Sequence, residues 1–399
     1  MTNWQEVRLG DICIQITDGT HNTVKDCESG DCYLLSCKNI KNGNIEIGKN
    51  ERKIDRHTLE KLRKRTKTAK GDVLLSSVGT IGETAVIKLE NPNYEFQRSV
   101  AIFKPNLNFI TSEFLYYSLN SRKDILQHSA EGAVQQCLFI TPLKDFPISL
   151  PPIDVQKKIA GVLGALDDKI ELNNRINNNL EQQAQSLFKS WFVDFEPFGG
   201  KMPDDWKVGK VDDIIELFDS QRIPLSGNQR ENMQKLYPYY GATSIMDYVD
   251  NYIFDGKYLL LGEDGTVVDN EGFPILQYVW GKFWVNNHTH VLQGKNGFNV
   301  ESLYLFFKKT NIKSIVTGAV QPKVNQANLR AIPAIIPNLE CMNKFNKIIN
   351  PLFAMLRNNK EENTRLAQLR DTLLPKLMSG EIDVSNVDIN ELNAVDKLL

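Results

Sequence analysis

Residues equipped for chemistry are few and scattered in this chain. His288 and His290, in "NNHTHVL", are the one close histidine pair. On a strand they share a face and could hold a metal ion, but no third ligand is evident, and turn or groove-lining polar residues are the other reading. Cys27, Cys32 and Cys37 are evenly spaced. Four intervening residues and no neighbouring histidine suit reduced, partly buried thiols better than zinc. "PDDWK" (203–207) holds the letters of a metal-nuclease signature. The two carboxylates of such a site come from separate strands, so five consecutive residues leave no room for the metal geometry. "NPNY" (91–94) departs from the N-P-P-Y loop of amino-methyltransferases at Asn93 and reads as a turn. Gly281-Lys282 is followed by Phe283, not by the hydroxyl residue of a phosphate loop. No catalytic constellation, metal site or cofactor site is expected here.

The elements that would position any site come next. At 399 residues the chain exceeds one ordinary core, so two or three domains are expected. The start, "MTNWQEVRLGDICIQ", lacks a basic-then-apolar leader, and no apolar run approaches a membrane span, so a cytoplasmic protein without a membrane partner is expected. A net charge of -2 gives no global signal for nucleic acid. The charge is uneven, however: "RKIDRHTLEKLRKRTKTAK" (52–70) carries nine basic residues against two acidic ones. That run is either a solvated helix face or a phosphate contact.

The tetrapeptide "GAVQ" occurs at 132–135 and again at 318–321, 186 residues later. At the same offset Pro147 falls on Pro333 and Pro151 on Pro337. A helical seam follows each copy. In the first it runs through Leu163, Leu166, Ile170, Asn173, Asn177, Leu180 and Leu187; in the second through Ile349, Leu352, Leu356, Asn359, Asn363, Leu366 and Leu373. The spacings of four and three sustain a heptad pattern, with asparagines at matching places. A seam asparagine must find another hydrogen-bonding group, so the two helices are expected to pair antiparallel, with the four asparagines near the middle. "WQEVRLGDI" (4–12) is similar to "WKVGKVDDI" (206–214), and the stretches between read as short strands and glycine-rich turns. The expected fold is α+β: two similar, mixed β-rich globular domains separated by two long antiparallel, pseudo-twofold coiled-coil helices. Boundaries are expected at 1–150, 151–195, 196–337 and 338–399. Duplicated units on a helical spacer suit a two-part DNA site, where phosphate contacts set position and a few side chains specify bases.

Three stretches carry a resemblance across nearly the whole chain: "LPPIDVQKKIAGVLGALDDKIELNN" (150–174), "LFKSWFVDFEPF" (187–198) and "LRDTLLPKLMSGEIDV" (369–384). They resemble the central and C-terminal conserved regions of the specificity subunits of type I restriction-modification enzymes. "ITDGTHNT" (16–23), and "RIPLSGNQR" with "YPYYGA" (222–242), look like openings of target recognition domains. The resemblance implies a DNA-reading subunit without catalysis of its own, in which each recognition domain reads half of an asymmetric, bipartite site on double-stranded DNA. It also implies two docked modification subunits that carry S-adenosylmethionine and methylate adenine, and restriction subunits that use ATP and magnesium. One departure is that the second copy lacks a counterpart of "WFVDFEPF", having "LMSGEIDV" near that place.

By type and loop position, the expected base-reading residues of the first domain are Thr20, His21, Lys38, Asn39, Gln97, Arg98, Gln135 and Gln136. Those of the second are Tyr240, Thr243, Asp264, His288, His290, Gln321 and Lys323. Any of them could equally be an exposed polar turn residue. The rival functions are a stand-alone duplicated DNA-binding regulator, and a methyltransferase or nuclease acting by itself.

Overall fold

The computed structural model describes residues 4–130, 132, 136–318 and 320–388. The chain forms two compact units: Met1–Glu171 with Glu362–Leu399, and Leu172–Glu361. Each is built on the same four-stranded antiparallel sheet. The strand order is Cys13–Asp18, Val100–Pro105, Val73–Ser76, Thr84–Val86 in the first unit, and Ile215–Leu217, Thr289–Gly294, Tyr258–Gly262, Leu276–Val279 in the second.

The central strands, "VLLS" and "YLLLG", are apolar without alternation because both faces of the sheet are covered. In the first unit Val73, Leu75, Ala101 and Phe103 pack with Phe114 and Leu115 of the helix Ser112–Ser121. Leu74, Val100 and Ile102 face the other way, onto Leu35, Tyr94 and Phe96 of a smaller sheet. The second unit repeats this with the helix Val300–Lys309 on one face and Phe254, Phe283 and Val285 on the other. Each smaller sheet holds one parallel pair: Cys32–Leu35 with Tyr94–Phe96, and Tyr237–Tyr240 with Lys282–Val285. Entry and exit strands then close each unit, Gln5–Arg8 on Pro147–Leu150 and Lys207–Lys210 on Pro333–Ile336.

Two 40-residue helices follow, Ile153–Phe192 and Leu339–Met378. They run antiparallel where they meet in each unit. In the first, Arg370 donates to Asp167 at 2.7 Å while Leu377 packs with Ile159 and Leu163. In the second, Asn359 donates to Asn177 at 2.9 Å while Phe345 packs with Phe188 and Phe192. Of the seam, Leu163, Asn173, Asn177, Leu180, Ile349 and Leu356 are buried; Leu166, Ile170, Leu187, Leu352, Asn359, Asn363, Leu366 and Leu373 are half-buried.

The seam departs from the sequence pattern at its ends. Phe188 and Phe192 are buried deeper than Leu187, and Phe353 deeper than Leu352. The Phe192 and Phe345 rings meet edge to face at 4.7 Å, and Trp206 lies tilted beside Phe192 at 5.7 Å. These helix ends therefore fill a domain core as well as a helix pair.

The missing counterpart of "WFVDFEPF" also requires correction. Leu377 and Val384 stand 186 residues after Trp191 and Phe198. Both are buried, and with Ile382 and Val387 they close the first unit's core, as Trp191 and Phe198 pack against the second's. Aliphatic side chains thus do in the tail what aromatic ones do after the first long helix. The Lys158 ammonium holds the tail by donating to the Ser385 carbonyl. No described helix is long and apolar enough to cross a membrane.

Candidate nucleic-acid interface

Loops meet at one end of each main sheet. In the second unit Asn286 donates its backbone N–H to Tyr240, Glu263 to His288, Gly265 to Pro322 and Val324 to Glu263, all at 2.8–3.0 Å. In the first unit Gln97 to Leu35, Ser77 to Ser99 and Leu138 to Ser77 are the corresponding joints, and Thr20 to Phe96 is a further one. Gly19 is required at this joint, because a Cβ there would lie 2.2 Å from the Phe96 and Gln97 carbonyls. The second "GAVQ" copy sits on a tight loop. Thr317 and Lys323 exchange backbone hydrogen bonds at 2.7–2.8 Å, and Gly318 turns the chain at φ +88°.

The first unit's loops surround a pocket of about 740 Å³ lined by Asp18, His21, Ser36, Cys37, Gln97, Arg98 and Phe139 among others. His21, Gln97 and Arg98 of the expected set line this pocket. Arg98 is exposed and has no carboxylate at ion-pair distance among the described residues. His21 leans on Asp18 at 2.5 Å and Lys38 on Glu51 at 3.1 Å, while both stay largely open to solvent. Gln136 is exposed, and Gln135 lies outside the described residues. Thr20 is nearly buried and accepts the Asn22 N–H, so its hydroxyl serves the turn. Asn39 must be withdrawn as a base reader. It is 2% exposed, accepts the Ser36 N–H and donates to the Glu46 carbonyl.

In the second unit, Thr243, His288, Gln321 and Lys323 are exposed on the converging loops. His288 bonds Asp264 at 2.6 Å. Tyr240 is half-buried with its ring edge-on to Phe283, and burial pushes its phenol up to about 12. His290 is the second correction. It does not share a face with His288, because it lies inside the strand Thr289–Gly294 and is fully buried, whereas His288 precedes that strand. Its Nδ1 lies 2.6 Å from Asp219 Oδ2 and its Nε2 lies 2.7 Å from the Val324 carbonyl oxygen.

Around His290 is a cluster that the sequence did not single out. Asp219 also accepts from Gln326 at 2.6 Å and from the Val291 N–H at 2.9 Å. Glu263 accepts from Arg222 at 2.6 Å and pairs with Lys323 at 3.2 Å. Burial raises the Asp219 carboxyl, but the hydrogen bond and charge of His290 outweigh it and hold the group below its ordinary range. Burial likewise opposes Arg222 at Glu263, and again the net direction is down. Asp219, Glu263 and His290 offer three donor atoms within 4.8 Å of one another, a spacing that could hold a metal ion. The Arg222 guanidinium already supplies the cation there, and both imidazole nitrogens are already engaged.

The basic run is largely spent on the fold. Arg63 donates to the buried Glu95 at 3.1 Å and to the Pro92 and Tyr94 carbonyls. Arg65 donates to the Asp18 and Gly19 carbonyls, both at 2.6 Å. Arg52, Arg56 and Lys70 pair with Asp26, Asp31 and Glu90. Lys53, on the strand Lys53–Ile54, and Lys61, Lys64 and Lys67, on or beside the helix Arg56–Thr66, are exposed with no carboxylate at ion-pair distance among the described residues.

Two α+β units of one design, with different polar side chains on equivalent loops, define a duplicated recognition scaffold. The chain belongs to the type I restriction-modification DNA specificity family, whose domain matches residues 1–182 and again 203–368. Its role is accordingly sequence-specific DNA recognition rather than catalysis. It is 27% identical to the type I restriction enzyme MjaIX specificity subunit of Methanocaldococcus jannaschii, over 96% of this chain and 95% of that protein. It is 24% identical to the HindI specificity subunit of Haemophilus influenzae, over 96% and 100%. The fold is similar to the crystal structure of a type I S subunit from M. genitalium, with TM-score 0.57 and 17% identity over 94% of this chain and 96% of that one.

Proposed function

We propose that the chain reads a bipartite, asymmetric site on double-stranded DNA, one half through each unit's loop cluster, as the specificity subunit of a type I restriction-modification complex. Residues 1–150 and 196–337 are the two readers, and the long helices set the unread spacer between half-sites. The helices and the regions beside them dock two modification subunits, to which restriction subunits add. S-adenosylmethionine, ATP and magnesium act in those partners, and the whole complex works in the cytoplasm.

The observation that supports this best is that equivalent loop positions carry different chemistry. Cys137 bridges Val78 as Lys323 bridges Asp264. One scaffold with two side-chain sets is what an asymmetric sequence requires, since each half-site needs its own pattern of donors and acceptors. Co-expression with the modification partner, followed by mapping of methylated adenines, tests this reading. It calls for two short motifs at fixed separation, and one continuous motif or none would sink it.

A further inference from the structure

We infer that Val320 is a specificity-determining residue of the second reader: at the tip of the loop closed by Thr317 and Lys323, its isopropyl group packs on the C5-methyl of one thymine in the major groove of the second half-site. The inference rests on the two-reader function above and deepens it, since one base of that half is then chosen by apolar contact rather than by hydrogen bonding.

Val320 is 100% exposed, the most open of the large apolar side chains among the described residues; Ile14 and Val208 follow at 74% and 73%. Single exposed apolar residues are ordinary, so exposure alone assigns nothing. What sets Val320 apart is the bracing beneath it. Thr317 and Lys323 exchange backbone hydrogen bonds at 2.7–2.8 Å and close the neck of the loop. The Gly265 N–H donates to the Pro322 carbonyl at 3.0 Å and the Val324 N–H to the Glu263 carbonyl at 2.8 Å, which fastens the loop to the turn after the strand Tyr258–Gly262. The Lys323 ammonium adds an ion pair to Glu263 at 3.2 Å. Gly318 is required, because its φ is +88° and a Cβ there would lie 2.3 Å from the Gln321 carbonyl oxygen. Pro322 fixes its own φ and restricts Gln321 before it. Valine has one side-chain torsion, and β-branching restricts it, so little freedom is lost when this tip meets a ligand.

The neighbours select the ligand. Thr317, Gln321 and Lys323 are exposed on the same loop, and Thr243 and His288 are exposed on the loops it converges with. A surface knob for a protein partner sits among apolar and aromatic groups, with charge at the rim. Here the surround is hydrogen-bonding and cationic, as contact with phosphates and base edges requires. The thymine methyl is the one apolar group that a base edge presents in the major groove, and apolar contact is how it is read. Facing cytosine instead, the valine would cover an amino group and leave that donor unpaired.

The test uses the full chain co-purified with its modification partner, and duplexes carrying the mapped site. Each thymine is replaced singly by deoxyuridine, which removes the C5-methyl and nothing else, and competition binding is measured for the native chain and for Val320→Ala. In the native chain, one thymine of the second half is expected to be sensitive, its replacement weakening binding about four-fold, the scale of burying one methyl group. Val320→Ala is expected to weaken binding of the thymine duplex by a similar factor and to bind the thymine and uracil duplexes equally. Its thermal unfolding and its yield of partner complex are expected to match those of the native chain, as for any exposed side chain away from the core.

A second half without an A·T pair, no thymine there that is sensitive to loss of its methyl, or a sensitivity that Val320→Ala retains overturns the assignment of Val320 and leaves two readers standing. Weakening by Val320→Ala that is equal for thymine and uracil from the outset overturns it as well, being what an apolar wedge between base pairs gives. A variant that unfolds earlier, or that no longer carries the partner, makes Val320 a structural or protein contact and overturns it too. A single continuous motif, or no mapped motif, overturns the two-reader function itself and this inference with it.

Discussion

The Asn359 side-chain amide donates to the Asn177 carbonyl oxygen across the helix pair at 2.9 Å, with Asn177 buried. An asparagine there gives up apolar packing, and what it gains is a register: only one alignment of the two helices brings the amides together. Replacing Asn359 by leucine strands a buried polar group and is expected to lower stability by about 1–3 kcal/mol. The double variant Asn177→Leu with Asn359→Leu removes the stranded group and is expected to recover most of that loss. Urea unfolding of both single variants and the double one yields the coupling, and additive effects would count against a specific pair.

The cations of residues 52–70 divide into two groups with opposite expected phenotypes. Arg63 neutralises Glu95, a carboxylate that is itself fully buried. Arg63→Ala leaves Glu95, whose carboxyl burial pushes above its ordinary range, with the Thr66 and Thr68 hydroxyls alone, and is therefore expected to destabilise the first unit by about 3 kcal/mol. Lys61, Lys64 and Lys67 face solvent, and converting all three to glutamine is expected to leave stability within about 0.5 kcal/mol. The triple variant should weaken binding to every DNA sequence and flatten log K against log salt by about 2 to 3, one phosphate contact per lysine. An unchanged salt slope would make that face a solvated surface only.

This division shows what the sequence could and could not reveal. The duplication was legible because prolines, helix register and seam asparagines repeat at a constant offset, and each is a local signal. Lys38 and Asn39 look alike as loop residues, yet the capping of Ser36 buries one and leaves the other in solvent. The His290 cluster was invisible for a different reason. Asp219, Glu263, His290 and Gln326 are far apart in the chain, and only the pairing of Ile215–Leu217 and Tyr258–Gly262 with Thr289–Gly294 collects them. The tail's likeness to the end of the first long helix was hidden in the sequence because Leu377 and Val384 share burial, not residue type, with Trp191 and Phe198.

Base-reading side chains should act one half-site at a time. Arg98→Ala is expected to relax the first half only, and Gln321→Ala or Lys323→Ala the second only, by about 1–3 kcal/mol of discrimination where a bidentate base contact is lost. Asn39→Ala, by contrast, removes a buried cap and should reduce stability without a base-specific signature. Competition binding with single-base variants of the mapped site separates these outcomes. Loss at both halves from any one substitution would mean that it acts through the fold.

Acid should unfold the second unit through Asp219 and Glu263. Both carboxyls lie below their ordinary ranges, because hydrogen bonds and charge from His290 and Arg222 outweigh the upward push of burial. A carboxyl whose folded pKa is depressed contributes stability above its unfolded pKa, about 4, and that contribution is lost as pH falls through the folded value. The second unit is thus expected to hold constant stability from neutrality down to about pH 4 and to lose it steeply below. Asp219→Asn keeps an acceptor oxygen but removes the charge, so it is expected to cost about 1.5–3 kcal/mol at pH 7 and to make the acid limb shallower. Unfolding free energies measured from pH 2.5 to 7 check this directly. If native and variant profiles stay parallel through the acid limb, Asp219 is not a source of the acid sensitivity, and carboxylates elsewhere must be responsible.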